Sequence, residues 1–165
     1  MLPLILWLAL QADLLAAHGE KAVVLIFTRT DCPISNRYAP EIQRLYRKYS
    51  GEGIQFRLVY PEGDLPADAM ERHRREYGYA MPGVLDPRHR YVSKAGVHTT
   101  PEAAVFVAGQ LVYRGRIDDR YIDVTKSKQH SERHDLEDAL AAVVAGKSPS
   151  VRETPAVGCA IEDAR

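Results

Sequence analysis

Cysteine is scarce in this chain of 165 residues, which has only two. Two cysteines are too few for a disulfide scaffold or a four-thiolate zinc site. Net charge is missing as well, because 22 basic side chains balance 22 acidic ones, whereas a nucleic-acid binder needs a basic excess. No apolar run reaches the about 18 residues of a membrane-spanning helix. With 45% hydrophobic and 27% charged residues, the chain is predicted to form one ordinary globular domain.

The first 12 residues, MLPLILWLALQA, form the most apolar stretch of the chain. They predict a signal or export segment, which would place the protein in an exported or periplasmic, oxidising compartment. Two features oppose this interpretation. No lysine or arginine precedes the run, and cleavage after Ala12 would place Leu10, instead of a small residue, at the −3 position of the cleavage site. The alternative is a buried first strand or helix, which leaves a cytoplasmic location open.

Strand and helix patterns alternate over residues 13–146, which we expect to form the domain, with residues 147–165 as a C-terminal tail. The apolar run AVVLIFT at 22–28 predicts a central strand, and Pro33 is suited to the first position of a helix that breaks at Pro40. Further strands are predicted at 54–60, 84–85, 102–107 and 111–114, and further helices at 13–19, 66–77, 88–94 and 135–145. This order predicts an α/β fold with a mixed four- to five-stranded sheet and helices on both faces.

Cys32 lies between the predicted central strand and the helix that is predicted to begin at Pro33. Unpaired N–H groups and the helix dipole favour a negative charge at such a place, and they lower the pKa of a thiol there below about 8.5. Arg29 or Arg37 would add positive potential, whereas Asp31 opposes it. We therefore interpret Cys32 as a reactive thiol; the alternative is a small buried hydrophobic residue.

Three features in order resemble the thioredoxin-like superfamily, especially the redoxin branch that it shares with peroxiredoxins. They are the apolar strand that runs into DCPISN at 31–36, the pair Thr100-Pro101 before the hairpin, and the closing amphipathic helix. The resemblance covers residues 13–146 and implies a three-layer thioredoxin-like fold. It also implies that Pro101 is cis and faces Cys32, so that the backbone before it can pair with an extended substrate. The alternative is an ordinary trans proline that opens an edge strand.

The sequence departs from the thioredoxin pattern at the helix start, where Ser35 replaces the second cysteine. A local dithiol is therefore impossible. Ser35 is expected to donate a hydrogen bond to the thiolate or to cap the helix. Asn36 lies four residues after Cys32, on the same helix face, and is expected to approach the sulfur. Asn36 also occupies the place of the second cysteine in copper-chaperone relatives, which excludes two-thiolate metal binding in this loop.

A second departure concerns peroxide chemistry. Peroxiredoxins carry a proline seven residues, and a threonine or serine three residues, before the reactive cysteine; here these positions are Leu25 and Arg29. The usual peroxide-orienting hydroxyl is thus absent, although Thr28 or Thr30 could substitute for it.

Cys159 lies in the tail, where Pro155 and Gly158 predict a turn. A cysteine on a mobile tail can reach Cys32 and resolve a sulfenic acid or a mixed disulfide, since closing a long loop adds little entropy cost. Two alternatives stay open, an intermolecular bridge and an exposed thiol without a role.

The remaining polar candidates are weaker. The six histidines show no convincing metal spacing, and only His98 is placed to approach Cys32. The charged run RGRIDDR at 114–120 is expected to fix the last loop through arginine–carboxylate pairs, or to bind an anionic partner. We predict neither a metal nor another cofactor.

These observations lead to the hypothesis of a thiol-based redox protein, either a thiol–disulfide oxidoreductase or a thiol peroxidase. Its predicted partners are a protein disulfide or a peroxide, together with an external thiol reductant; the oligomeric state stays open. The alternative is a non-catalytic thioredoxin-fold module that docks a protein partner. The predicted catalytic residues are Cys32, Cys159, Pro101, Thr100, Ser35 and Asn36.

Overall fold

The computed structural model describes Leu15 and residues 19–162. The predicted export segment at 1–12 and most of the short helix predicted at 13–19 lie outside the described residues. In the part of the chain that is described, no helix has the length and apolar character needed to cross a bilayer.

Seven strands, five α-helices and one short 3-10 helix, Ser50–Glu52, are described. The strands are β1 Ala22–Phe27, β2 Ile54–Tyr60, β3 Gly83–Leu85, β4 Thr99–Thr100, β5 Glu102–Val107, β6 Gln110–Gly115 and β7 Cys159–Ala160. The helices are α1 Pro33–Arg37, α2 Ala39–Tyr49, α3 Ala67–Glu76, α4 Arg90–Ala95 and α5 Asp135–Val144.

Five strands form the main sheet in the order β3-β2-β1-β5-β6. The first three run parallel, while β5 pairs antiparallel with both β1 and β6. The predicted mixed sheet and its late hairpin are therefore confirmed.

Strand β1 lies in the centre of the sheet and is buried along its whole length, as its continuous apolar run predicts. Its side chains alternate between the two faces. Val24 and Ile26 join the core cluster that includes residues of α2 and α5, and Leu25 and Phe27 join the cluster beneath α4. The sheet is thus covered on both faces, which completes a three-layer α/β architecture.

The helix after β1 is interrupted, as Pro40 predicts. Helix α1 spans only five residues, and Tyr38 separates it from α2, in which Pro40 occupies the first turn. The interruption makes α1 a short segment that begins after the end of the central strand β1, with Cys32 as its N-cap residue.

The described part of the C-terminal segment is hydrogen-bonded to the domain, and Cys159 lies in a strand where we expected a turn. The Thr154 N–H donates to the Arg114 carbonyl at 3.1 Å. Gly115, at φ 144°, allows this approach, because a Cβ there would lie within 2.4 Å of the Thr154 backbone. The segment ends in β7, which pairs with β4 in a separate two-stranded sheet.

Candidate active site

Cys32 is the N-cap residue of α1 and has no exposed surface. Its Sγ accepts a hydrogen bond from the Ser35 N–H at 3.5 Å and lies 3.2 Å from the Thr100 carbonyl oxygen. The hydrogen bond from Ser35 favours a negatively charged sulfur, because this N–H belongs to the first turn of α1 and has no acceptor within the helix. The sulfur thus sits at the helix start that the sequence predicts.

Cys32 and Cys159 form a disulfide across 127 residues of sequence, with the Sγ atoms 2.50 Å apart and the Cα atoms 6.1 Å apart. Of the alternatives for Cys159, the structure shows the intramolecular pair. The expected turn at Cys159 is replaced by strand β7.

The Thr100–Pro101 peptide bond is cis, as the resemblance implied. Thr100 pairs with Cys159 in the β4–β7 sheet, and its hydroxyl donates to the Cys159 carbonyl at 3.4 Å. The loop before Pro101 therefore faces both sulfur atoms.

Ser35 and Asn36 are placed differently from what the sequence suggested. The Ser35 hydroxyl is buried without a hydrogen-bond partner among the described residues, so the contact with sulfur comes from its backbone. Asn36 donates from Nδ2 to the Thr30 carbonyl at 3.2 Å, and its Oδ1 lies 2.9 Å from His73 Nε2. Asn36 therefore ties the loop before Cys32 to α3, and its described hydrogen bonds do not include the sulfur.

His73 is a buried partner that the sequence did not single out, because it lies in a strongly charged helix. Its Nε2 must donate to Asn36 Oδ1, since Asn36 uses Nδ2 as a donor elsewhere. In the neutral imidazole its Nδ1 then accepts from the Tyr60 hydroxyl, 2.9 Å away. Burial lowers the pKa of His73, while Glu76 opposes the shift.

Arg29 is engaged by a neighbour instead of standing free near Cys32. It donates to both carboxylate oxygens of Asp31, at 3.0 and 3.1 Å, and to the Ala160 carbonyl at 3.2 Å. Arg29 therefore connects the loop before Cys32 to strand β7, which carries Cys159.

Glu102 is a second residue that the sequence did not reveal. Its buried Oε2 accepts the N–H groups of His98 and Thr99, at 3.0 and 3.2 Å, and burial raises the pKa of its carboxyl group. The His98 carbonyl accepts the Ile161 N–H at 2.9 Å, and its side chain is exposed. Glu102 thus fixes the backbone at the start of β4 through these two hydrogen bonds.

The charged run after the hairpin fixes the last loop, as expected. Arg116 donates to Asp135 at 2.7 Å, and Lys128 donates to Asp119 at 2.7 Å; this lysine is the main cause of a lowered pKa of Asp119. Asp118, also buried, accepts the Tyr38 hydroxyl at 2.5 Å.

One group of possible ligand atoms lies away from the sulfur atoms, at Glu41, His134 and Glu137. The Glu137 carboxylate already accepts hydrogen bonds from Arg44 and Lys48. Arg44 is the first cause that lowers the pKa of Glu137 to about 2. This carboxylate is therefore committed to two cations.

Comparison with known proteins gives one family and one fold. The Redoxin family model matches residues 11–140. The thiol–disulfide oxidoreductase ResA of Halalkalibacterium halodurans is 27% identical over 81 residues, which cover 49% of this chain and 45% of that protein. The chain thus spans about half the length of this curated relative.

Two solved structures resemble the chain over most of its length. A hypothetical protein from Sinorhizobium meliloti has a TM-score of 0.74 at 21% identity, over 87% of this chain and 80% of that one. An uncharacterized conserved protein from Geobacillus kaustophilus has a TM-score of 0.72 at 23% identity, over 86% and 76%. At such low identity they support the fold alone. StoA from Bacillus subtilis, with a TM-score of 0.50 and 17% identity over 58% of this chain and 72% of its own, adds a thioredoxin-like neighbour.

The mixed five-stranded sheet with its flanking helices and the cis bond before Pro101 is a thioredoxin-like fold, and the disulfide joins the start of α1 to strand β7 beside that bond. The family match covers most of the domain. The chain belongs to the Redoxin family.

Proposed function

We propose that the protein is a thiol–disulfide oxidoreductase in which Cys32 is the nucleophile and Cys159 the resolving cysteine. The observation that carries the proposal is the disulfide that joins the start of α1 to β7, directly beside the cis bond before Pro101. The domain at 13–146 supplies the nucleophile, and the tail at 147–165 supplies the resolving thiol.

The reaction has three exchanges. An external thiol reductant first reduces the Cys32–Cys159 disulfide to two thiols and is itself oxidised to a disulfide. The Cys32 thiolate then attacks a substrate disulfide, whose S–S bond breaks while one substrate sulfur leaves as a thiolate and takes up a proton. Finally the Cys159 thiolate attacks the Cys32 sulfur of the mixed disulfide, which releases the second substrate thiol and restores the original disulfide.

The residues around the sulfur support these exchanges. The N–H of Ser35 stabilises the Cys32 thiolate both as attacking group and as leaving group. The Thr100 carbonyl lies within reach of a protonated Cys32 thiol, which can donate to it. Thr100 and Pro101 shape the strand edge beside the sulfur, and Asn36 positions the loop before it.

Disulfide exchange fits the site better than peroxide reduction. The hydroxyl of Thr30 donates to Glu62 at 2.8 Å, and the buried hydroxyl of Thr28 has no hydrogen-bond partner in the described part of the chain. The described hydrogen-bonding groups at the Cys32 sulfur are backbone atoms of Ser35 and Thr100. No side-chain hydroxyl of the described residues is hydrogen-bonded to the Cys32 sulfur.

The test is the reduction of a disulfide-linked protein such as insulin by an excess of dithiothreitol, with the wild type and two single variants. The wild type should accelerate the reduction, and Cys32→Ser should not. Cys159→Ser should form the mixed disulfide, which only the slower external thiol then resolves, and intact mass should show the adduct. Full activity of Cys32→Ser would contradict the proposal, and inactivity of the wild type would favour the docking module.

We also infer that the protein works in an exported compartment, which the apolar run at 1–12 and the disulfide support. The N-terminal sequence and the thiol state of the protein recovered from its cells test this location. A reduced protein that retains Met1 in the cytoplasmic fraction would contradict it.

A further inference from the structure

Strand β7 covers the edge of β4 that an extended substrate needs. Thr99 pairs with Ala160 and Thr100 with Cys159, in antiparallel register. The Ile161 N–H extends this pairing to the His98 carbonyl at 2.9 Å. Because a substrate sulfur bonded to Cys32 must take the position of the Cys159 sulfur, the tail and a substrate strand compete for one edge.

The position before the cysteine has no room for a side chain. A Cβ atom at Gly158 would lie 2.0 Å from the Thr100 carbonyl oxygen and 2.7 Å from its carbon. Real Cβ atoms essentially never approach other atoms within 3.0 Å, and the obstacle here is backbone that is held by the pairing with Cys159. Any larger residue would therefore have to lift the strand away from the sulfur.

The neighbouring positions have distinct surroundings. Two residues before the cysteine, Val157 lines a narrow cleft with Pro101, Tyr38 and Tyr121. Two residues after it, Ile161 packs against the apolar cluster of β1 and α4. Between them Ala160 has an exposed side chain, while its carbonyl accepts a hydrogen bond from Arg29 at 3.2 Å.

From this geometry, and resting on the proposed oxidoreductase function, we propose a substrate class. The edge of β4 beside Cys32, which β7 occupies here and which we call the groove, binds extended polypeptide segments of one kind. In these segments the disulfide cysteine directly follows a glycine, and apolar residues stand two positions before and two positions after the cysteine. Residues 157–161 are the chain's own copy of such a segment.

The physical basis is that two anchors fix the register. The bond to Cys32 sets the position of the substrate sulfur, and the β4 edge sets the path of the backbone. With both fixed, the residue before the cysteine must meet the Thr100 carbonyl as Gly158 does. A side chain there breaks either the strand pairing or the approach of the sulfur.

The test uses the full-length Cys159→Ser variant in its reduced form, so that Cys32 is the only thiol. The probe is an acetylated and amidated peptide of sequence Val-Gly-Cys-Ala-Ile, whose cysteine carries a 2-thiopyridyl group. The Cys32 thiolate attacks the peptide sulfur, forms a mixed disulfide and releases 2-thiopyridone with the electron pair of the broken S–S bond. Absorbance of the released thione gives the rate, and intact mass identifies the adduct.

Two matched peptides give the comparison. Alanine in place of the glycine should slow the reaction at least tenfold. Valine in place of the alanine after the cysteine, at the exposed position, should leave the rate within about twofold. Equal rates for the glycine and the alanine peptide would overturn the proposed substrate class.

The small disulfide bis(2-hydroxyethyl) disulfide distinguishes a failure of the substrate class from a failure of the proposed function. If Cys32 exchanges with it but does not distinguish the peptides, the substrate class fails while the proposed function stands. If Cys32 is inert toward both, the proposed function fails together with the substrate class.

The reaction rate of a double variant tests whether the tail occupies the groove. Gly158→Val added to the Cys159→Ser variant should displace β7 from the groove, because its side chain meets the Thr100 backbone. The double variant should then react severalfold faster with the glycine peptide than the single variant does, provided that circular dichroism shows the same folded spectrum. An unchanged rate would contradict the tail as the occupant.

Discussion

At the scale of single residues, the loop that carries Cys32 is held by a directed chain of hydrogen bonds. The Tyr60 hydroxyl donates to His73, His73 donates to Asn36, and Asn36 donates to the Thr30 carbonyl. In this direction the chain needs a neutral imidazole, because protonation turns Nδ1 into a donor and reverses its hydrogen bond with the Tyr60 oxygen. One buried histidine thus links strand β2 to the residues just before Cys32.

This network predicts a loss of stability in mild acid. Burial lowers the pKa of His73 in the folded state, so the unfolded state binds the proton more readily as the pH falls below about 6.5. The free energy of unfolding should therefore fall from pH 7 to pH 5 more steeply in the wild type than in His73→Gln. Urea unfolding at several pH values measures the two slopes.

The matched control is His130→Gln, which changes an exposed histidine. It should keep the pH dependence of the wild type. Identical slopes for the wild type and His73→Gln would show that His73 does not titrate as the network requires.

At the level of strands and helices, the sequence predicted an element wherever the spacing of apolar residues or a proline determines it. The apolar run of β1, the interruption before Pro40 and the hairpin of β5 and β6 were predictable, because each depends on local pattern. Strands β4 and β7 have two residues each, which is too short for any period. Their pairing depends on contacts between distant parts of the chain.

The same limit applies within the site. The position of Cys32 and the cis bond before Pro101 followed from the sequence, since both belong to a recognisable order of elements. The partners of Asn36 and the role of Glu102 did not, because they depend on side chains that only the folded sheet brings together.

The anchoring of the tail against β6 gives a prediction at this scale. The Thr154 hydroxyl accepts from the Arg116 N–H at 3.1 Å and lies 2.9 Å from the Tyr113 hydroxyl, which itself donates to the Arg116 carbonyl at 2.7 Å. Thr154→Val keeps the shape and removes both bonds, so the free energy of unfolding should fall by about 1–3 kcal/mol. After reduction, the Cys32–Cys159 disulfide should also re-form more slowly.

Urea unfolding and timed alkylation measure these two effects. Val151→Ala, at a site that is 39% exposed, is the control and should change neither. An unfolding free energy of Thr154→Val equal to that of the wild type would mean that Thr154 does not anchor the tail.

At the scale of the whole molecule, the disulfide closes almost the entire described chain into one loop of 127 residues. A cross-link of this kind restricts the unfolded state, and native disulfides typically contribute about 2–4 kcal/mol. The reduced protein should therefore be less stable than the oxidised protein by roughly that amount. Urea unfolding with and without reductant gives the difference.

The double variant Cys32→Ser/Cys159→Ser is the control, because it should match the reduced wild type and be indifferent to reductant. If the oxidised and reduced wild type unfolded at the same urea concentration, the cross-link would not stabilise the fold.

The proposed function requires that Cys32 and Cys159 interconvert between a dithiol and a disulfide as one pair. The most direct measurement equilibrates the full-length protein in a series of ratios of reduced to oxidised dithiothreitol, blocks free thiols and weighs the intact chain. We expect one two-electron transition between a species with no blocked cysteine and a species with two, and the loss of this transition in either single serine variant. If both cysteines were blocked at every ratio, Cys32 and Cys159 would not form a redox pair.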